Sequence, residues 1–109
     1  MKAPAALIPP EDCHSMLDLR AAIDTLDAAI VTALAQRAAY IDRAIDLKPA
    51  EGLPARIADR VEEVVAHVRV CAMAEGLDPA LVESLWRRLI DWSIDREEVV
   101  LGPSAPTEG

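Results

Sequence analysis

Between Leu17 and Leu47 the chain contains neither proline nor glycine, and apolar residues return at Leu19, Ile23, Leu26, Ile30, Leu34, Ile41 and Ile45 in steps of three, four and seven. That rhythm keeps side chains on one side of an α-helix, so the spacing predicts a single long amphipathic helix. Ser15 or Asp18 can cap its start, and Pro49 is expected to bar its continuation much beyond Lys48. At about 1.5 Å per residue such a helix runs roughly 45 Å, further than a compact domain of this size is wide. It therefore needs a partner along its whole length. A chain of 109 residues buries only roughly two-thirds of its unfolded surface, so self-association would supply that partner.

The segment "PAEGLP" breaks the pattern, and a second helix is expected over Arg56 to Glu75, carried by Ile57, Val61, Val64, Val65, Val68 and Cys71 or Ala72. Gly76 ends it. In "GLDP", Asp78 serves as N-cap and Pro79 as first-turn residue of a third helix reaching about Val99. The chain is 52% hydrophobic but only 3% aromatic, with no Phe, a mixture of Ala, Leu, Ile and Val that favours helices over a β-sandwich. The expected organisation is all-α: an N-terminal extension over residues 1–14, a three-helix domain over 15–100 and a polar, disordered tail over 101–109.

A net charge of −8 argues against nucleic acid and anionic membrane as partners, because both demand basic stripes. Any anion must be met by a few focused cations. Cys13 and Cys71 stand at no metal-ligand or redox spacing, and His14 and His67 have no companion ligands, so neither metal nor cofactor is expected. The opening "MKAPAALIPPEDC" has one basic residue and a short apolar run broken by prolines, and no run approaches transmembrane length. The expected location is the cytoplasm, with both thiols reduced.

The cations are few and oddly placed. Arg56 and Arg60 stand close to a helix start, where the macrodipole favours acids. Arg37 and Lys48 are eleven residues apart, which on a helix is three turns plus roughly 20°, one face and about 16 Å along the axis. Arg60 can approach if the loop folds its helix back. Arg20 lies seventeen residues before Arg37, roughly 25 Å away and about 100° around the cylinder, so it cannot reach the same small ligand from the same chain. An antiparallel copy of the helix could bring it there, and two-fold symmetry then makes two sites. Trp86, Ile90, Ser93 and Glu97 follow steps of four, three and four, setting Ser93 and Glu97 side by side as a polar floor.

These stretches, over about residues 11 to 99, resemble the all-helical class of chorismate mutases and the related isochorismate-pyruvate lyase. "LRAAIDTLDAAIVTALAQRAAYI" is similar to the family's first helix, with Arg20, the Asp24/Asp27 pair and Arg37 in place. Lys48, a loop with Pro54, and "DRVEEVV" with Arg60 match its next cationic positions, and "GLDPALVESLWRRLIDWSIDRE" is similar to its third helix. The resemblance implies an intertwined homodimer that takes a small dianion and rearranges chorismate to prephenate without a cofactor. Lys48 and Glu97 are the implied catalytic residues, and Arg20 of the partner subunit, Arg37, Arg60, Ser93, Ile57 and Val61 the implied substrate-binding ones. Lys48 would donate to the ether oxygen, and Glu97, standing where glutamine is usual though some mutases carry glutamate, would do so in its protonated form. Val61, "PPEDC" and the Trp92 neighbourhood are closer to the lyase, which forms salicylate and pyruvate from isochorismate.

Each residue also has an ordinary account. Lys48 suits a helix C-terminus, Arg20 can pair with Asp24, and Arg37 and Arg60 can be solvated or pair with acids such as Asp59 and Glu63. Arg69, Arg87 and Arg88 are expected to face solvent, and Trp86 and Trp92 to anchor a core or interface. Arg56 has two accounts, a guard at the pocket mouth or a pair with Glu51. A non-catalytic helical dimer that kept only the packing is the rival from another class.

Overall fold

The computed structural model describes residues 7–104. Every regular element among them is helical: a 3₁₀ turn at Pro10–Asp12, then α1 at Met16–Glu51, α2 at Ala58–Ala74 and α3 at Pro79–Leu101. This is the all-α, three-helix architecture expected from the periodicity. No described helix is long and apolar enough to cross a membrane.

The helix ends follow local chemistry, with two corrections. Ser15 rather than Asp18 caps α1, its hydroxyl oxygen accepting the Asp18 amide at 3.1 Å. Pro49 does not stop α1; it is accommodated in the last turn, and the helix continues to Glu51. What ends it is Gly52, at φ 69°, a left-handed conformation that glycine adopts without a Cβ clash. The Leu53 amide then returns to the Lys48 carbonyl at 3.0 Å and the Gly52 amide to the Pro49 carbonyl at 3.1 Å, which closes a Schellman cap around Lys48. The second correction concerns α2, which starts at Ala58 with an extended Ile57 as N-cap. Arg56 and Ile57 therefore belong to the loop, because the Arg56 amide donates across the fold to the Ser104 hydroxyl. Asp78 caps α3 as expected, accepting the Ala80 amide at 2.9 Å.

The chain divides into two compact units, Met1–Tyr40 and Ile41–Gly109. Within the first, α1 exposes Leu17, Ile23, Leu26, Ile30, Val31 and Tyr40, and no residue anywhere along α1 is buried. In the second, α2 packs on α3. Ala55, Val65, Ile90 and Ile94 form one cluster, with Val61, Val64 and Leu101 against it. Val68, Ala72 and Val82 form another, joined by Trp86. The buried positions of α3 include Ile90, Ser93, Ile94 and Glu97, a three-, four- and seven-residue spacing that turns one stripe inward. The C-terminal segment expected to be disordered from residue 101 is ordered further than that: Leu101 closes α3, and Ser104 is hydrogen-bonded. Residues 105–109 of the expected tail, and the first six of the expected extension, lie outside the described residues.

Candidate functional site

Lys48 sits in the last turn of α1, where carbonyls without helical partners favour a cation. Its ammonium nitrogen lies 2.7 Å from Glu97 Oε1 and donates to the Ala55 carbonyl at 2.7 Å. The pair is largely withdrawn from solvent, with the Lys48 side chain 16% and the Glu97 side chain 5% exposed. Lys48 approaches Glu97 off the hydrogen-bonding direction, so the buried Oε1 has a charged neighbour but no directed hydrogen bond. Such an oxygen is a standing demand for a donor. Ser93, one helical turn before Glu97, is buried as well and donates to the Leu89 carbonyl at 2.9 Å.

Arg96 flanks this pair and grips Asp42 with two hydrogen bonds of 2.6 and 3.0 Å. That guanidinium holds the Asp42 carboxyl below the usual carboxylate range. Consecutive residues of α3, Arg96 and Glu97, thus fasten the end of α1 at Asp42 and Lys48. Arg96 also stands 5.5 Å over the Trp92 ring, and both belong to a shallow, mostly apolar groove with Ile45 and Val99.

The other implied site residues are placed as follows. Val61 is half-buried against the Ala55 and Ile90 cluster, and Ile57 is half-buried at the head of α2. Arg60 is exposed on the first turn of α2, and no ion pair holds it among the described residues. Arg20 and Arg37 lie in the first unit, Arg20 exposed and Arg37 half-buried. Arg20 makes no ion pair with Asp24. The second unit therefore joins Lys48 to Glu97, with Ser93 one turn away. Arg56 pairs with Asp91 at 3.1 Å, not with Glu51. Arg87 binds Glu62 and Glu83, and Arg69 also reaches Glu83. The Arg87 guanidinium hydrogen bonds hold Glu62 and Glu83 below the usual range, and those carboxylates raise Arg87 in turn. Among the described residues no three His, Cys, Asp or Glu side chains gather as a metal site.

Four partners escaped the sequence reading. The Ala55 carbonyl is backbone and carries no side-chain signal. Asp42 and Arg96 are 54 residues apart, and only the tertiary fold brings them together. Ser104 falls within the stretch whose composition argued for disorder. A faint signal existed for Arg96 alone, its place beside Glu97.

The assembled chemistry is a constrained ammonium facing a buried carboxyl, on helices that a known family shares. The chorismate mutase type II family matches residues 19–98. The isochorismate pyruvate lyase of Pseudomonas aeruginosa is 38% identical over 86 residues, spanning 78% of this chain and 83% of that protein. With that match and that identity, the chain belongs to the chorismate mutase type II family.

Proposed function

We propose that the chain is a homodimeric, cytoplasmic enzyme that rearranges chorismate to prephenate. The observation that carries the reading is the confinement of Lys48 between Glu97 and the Ala55 carbonyl, each 2.7 Å away. An ammonium has three N–H donors; with the Ala55 carbonyl taking one and the Glu97 carboxyl crowding a second, one remains for a substrate oxygen. In the rearrangement the C–O bond of the enolpyruvyl ether breaks as a C–C bond forms, within one molecule and with no net transfer of protons. Negative charge grows on the ether oxygen, and a fixed donor there stabilises the transition state more than the ground state. Arg37, Arg60 and the partner's Arg20 supply forked donors for the two carboxylates and hold the enolpyruvyl carbon over the ring. Ser93, Ile57 and Val61 complete the floor and wall.

Glu97 works in this reading with its proton on, donating to the ether oxygen opposite Lys48, since an ionised carboxylate would repel the dianion. Glu97→Gln, which keeps a neutral donor at that position, should retain turnover, whereas Glu97→Ala should lose it. Full turnover in Glu97→Ala would remove that role. The dimer is supported by α1, which exposes Leu17, Ile23, Leu26, Ile30, Val31 and Leu47, and by the free reach of Arg20.

A second reading has its own support. The 38% identity is to an isochorismate pyruvate lyase, and Val61 stands where many mutases carry an acid toward the ring hydroxyl. In that reading the same cations hold isochorismate, and a hydrogen passes from ring to enolpyruvyl group as salicylate and pyruvate separate. Glutamate at position 97, as in some mutases, favours the rearrangement. Incubating the purified chain with each substrate and following prephenate and salicylate decides between them; formation of neither would sink both.

A further inference from the structure

Lys48 is held by a backbone carbonyl as well as by the Glu97 carboxyl, and the carbonyl is itself tied down. The Ala55 carbonyl belongs to the loop between α1 and α2, whose next residue, Arg56, is fastened twice, once to the middle of α3 and once to the segment that follows it. Its amide donates to the Ser104 hydroxyl at 2.9 Å, and its guanidinium to Asp91 at 3.1 Å. Ser104 is pinned in turn, its own amide donating to Glu98 Oε2 at 2.8 Å. Gly102, at φ 82°, turns the chain back after α3 while its amide caps the Glu98 carbonyl at 2.8 Å. The Ala55 side chain is buried in the core cluster, so the peptide that carries the acceptor is fixed from both sides.

We infer that Ser104 is a positioning residue: together with Glu98 it clasps the Arg56 amide, holds the Ala55 carbonyl against Lys48, and so sets the direction of the ammonium's remaining N–H. The inference rests on the role assigned to Lys48 above. The physical need is clear from the site's charge. If Glu97 were the sole tether, the ammonium could collapse along the line to the acid and turn its free donor away from substrate. A carbonyl at the same distance draws it off that line without adding a negative charge that would oppose a dianion. The same contacts act on Glu98, whose carboxyl lies below the usual range because of the Ser104 amide first and its hydroxyl second. Nothing in the local sequence announces this, since "GPS" follows α3 as an ordinary helix exit.

The test compares the full-length wild type with Ser104→Ala, Ser104→Thr and Lys48→Ala on whichever of the two substrates the chain turns over. Loss of one hydrogen bond that orients a catalytic donor should lower kcat about tenfold with KM within about twofold. Threonine keeps the hydroxyl and should restore the rate. Hydrogen exchange of the Arg56 amide, read independently of activity, should accelerate in Ser104→Ala and not in Ser104→Thr. An unchanged kcat in Ser104→Ala while Lys48→Ala loses turnover would overturn the clasp and leave the reading of Lys48 standing. A loss expressed in KM or in the folded fraction, or unchanged Arg56 exchange, would overturn it too. If Lys48→Ala kept full turnover, or the wild type converted neither substrate, the role of Lys48 would fall and this inference with it.

Discussion

The part of α1 up to Tyr40 and the α2–α3 pair are built from the same residue types, yet they end in opposite states. In α2 and α3, Val65, Val68, Ala72, Val82, Ile90 and Ile94 are buried. In the first unit Ile30 is 56% and Leu17 80% exposed, and α1 buries nothing. The difference lies in geometry, since apolar content is similar. The turn at Gly76 folds α2 and α3 back as neighbours, a short connection that lets each bury the other's stripe. Among its described residues the first unit has no second α-helix. Its apolar surface is a request for another molecule, and in the proposed dimer it is met by a second copy of the chain.

The contrast can be broken most forcefully at Lys48. If its free N–H meets the ether oxygen, Lys48→Ala lowers kcat by about 10²–10³ with little change in KM, as removal of a preorganised donor does; a loss confined to KM would contradict the role. Next comes core against surface. Ile90→Ala should destabilise by about 2–5 kcal/mol in denaturant unfolding, the range for truncating a buried isoleucine. Ile30→Ala is the sharper probe. On a monomer a change at so exposed a position stays within about 0.5 kcal/mol, whereas in a dimer buried along α1 it should destabilise and shift the dissociation equilibrium seen by sedimentation. A neutral Ile30→Ala at every protein concentration would end the dimer proposal.

Binding separates an enzyme from a packing relic. A transition-state analogue at about a hundredfold excess over its Kd stabilises a competent site by about 2.7 kcal/mol, visible as a raised Tm, and a non-catalytic module would show no shift. The smallest expected effect is acid sensitivity. Asp42, Glu62, Glu83 and Glu98 all lie below their ordinary values. A lowered folded-state value means that the stabilisation is fully present above the unfolded value, 4.5 for the glutamates, and is lost as pH falls through the lower folded one. These groups are solvated, so the loss is modest and weakens further with salt. Thermal unfolding between pH 6 and 3 should show it, and Glu83→Gln should reduce it.

Much of the helical framework was legible because its causes are local. Asp78 before Pro79, Ser15 ahead of α1 and Gly76 after α2 act within one turn of their own positions. The misjudged ends had local rivals: Pro49 looked like a stop, but a proline in the last turn displaces little, and Gly52 had the conformation that closes a helix. Lys48 and Glu97 stood out through helical spacing and likeness to a family. Their mutual contact did not, and neither did the tether to Ala55. Arg56 looked equally suited to Glu51 and to a pocket mouth because pairing rules see only neighbours in sequence.

The sequence by itself determined three helices, their caps and the stripe that carries Ser93 and Glu97, since periodicity and capping act over three or four residues. It also determined membership of the family through four motifs in order. Tertiary structure alone decided that Asp42 meets Arg96, that Lys48 meets Glu97 and that Arg56 meets Ser104. Those contacts join residues that no local rule relates, and they exist because α2 and α3 pack in one register that brings the end of α1 and the turn after α3 to the same loop.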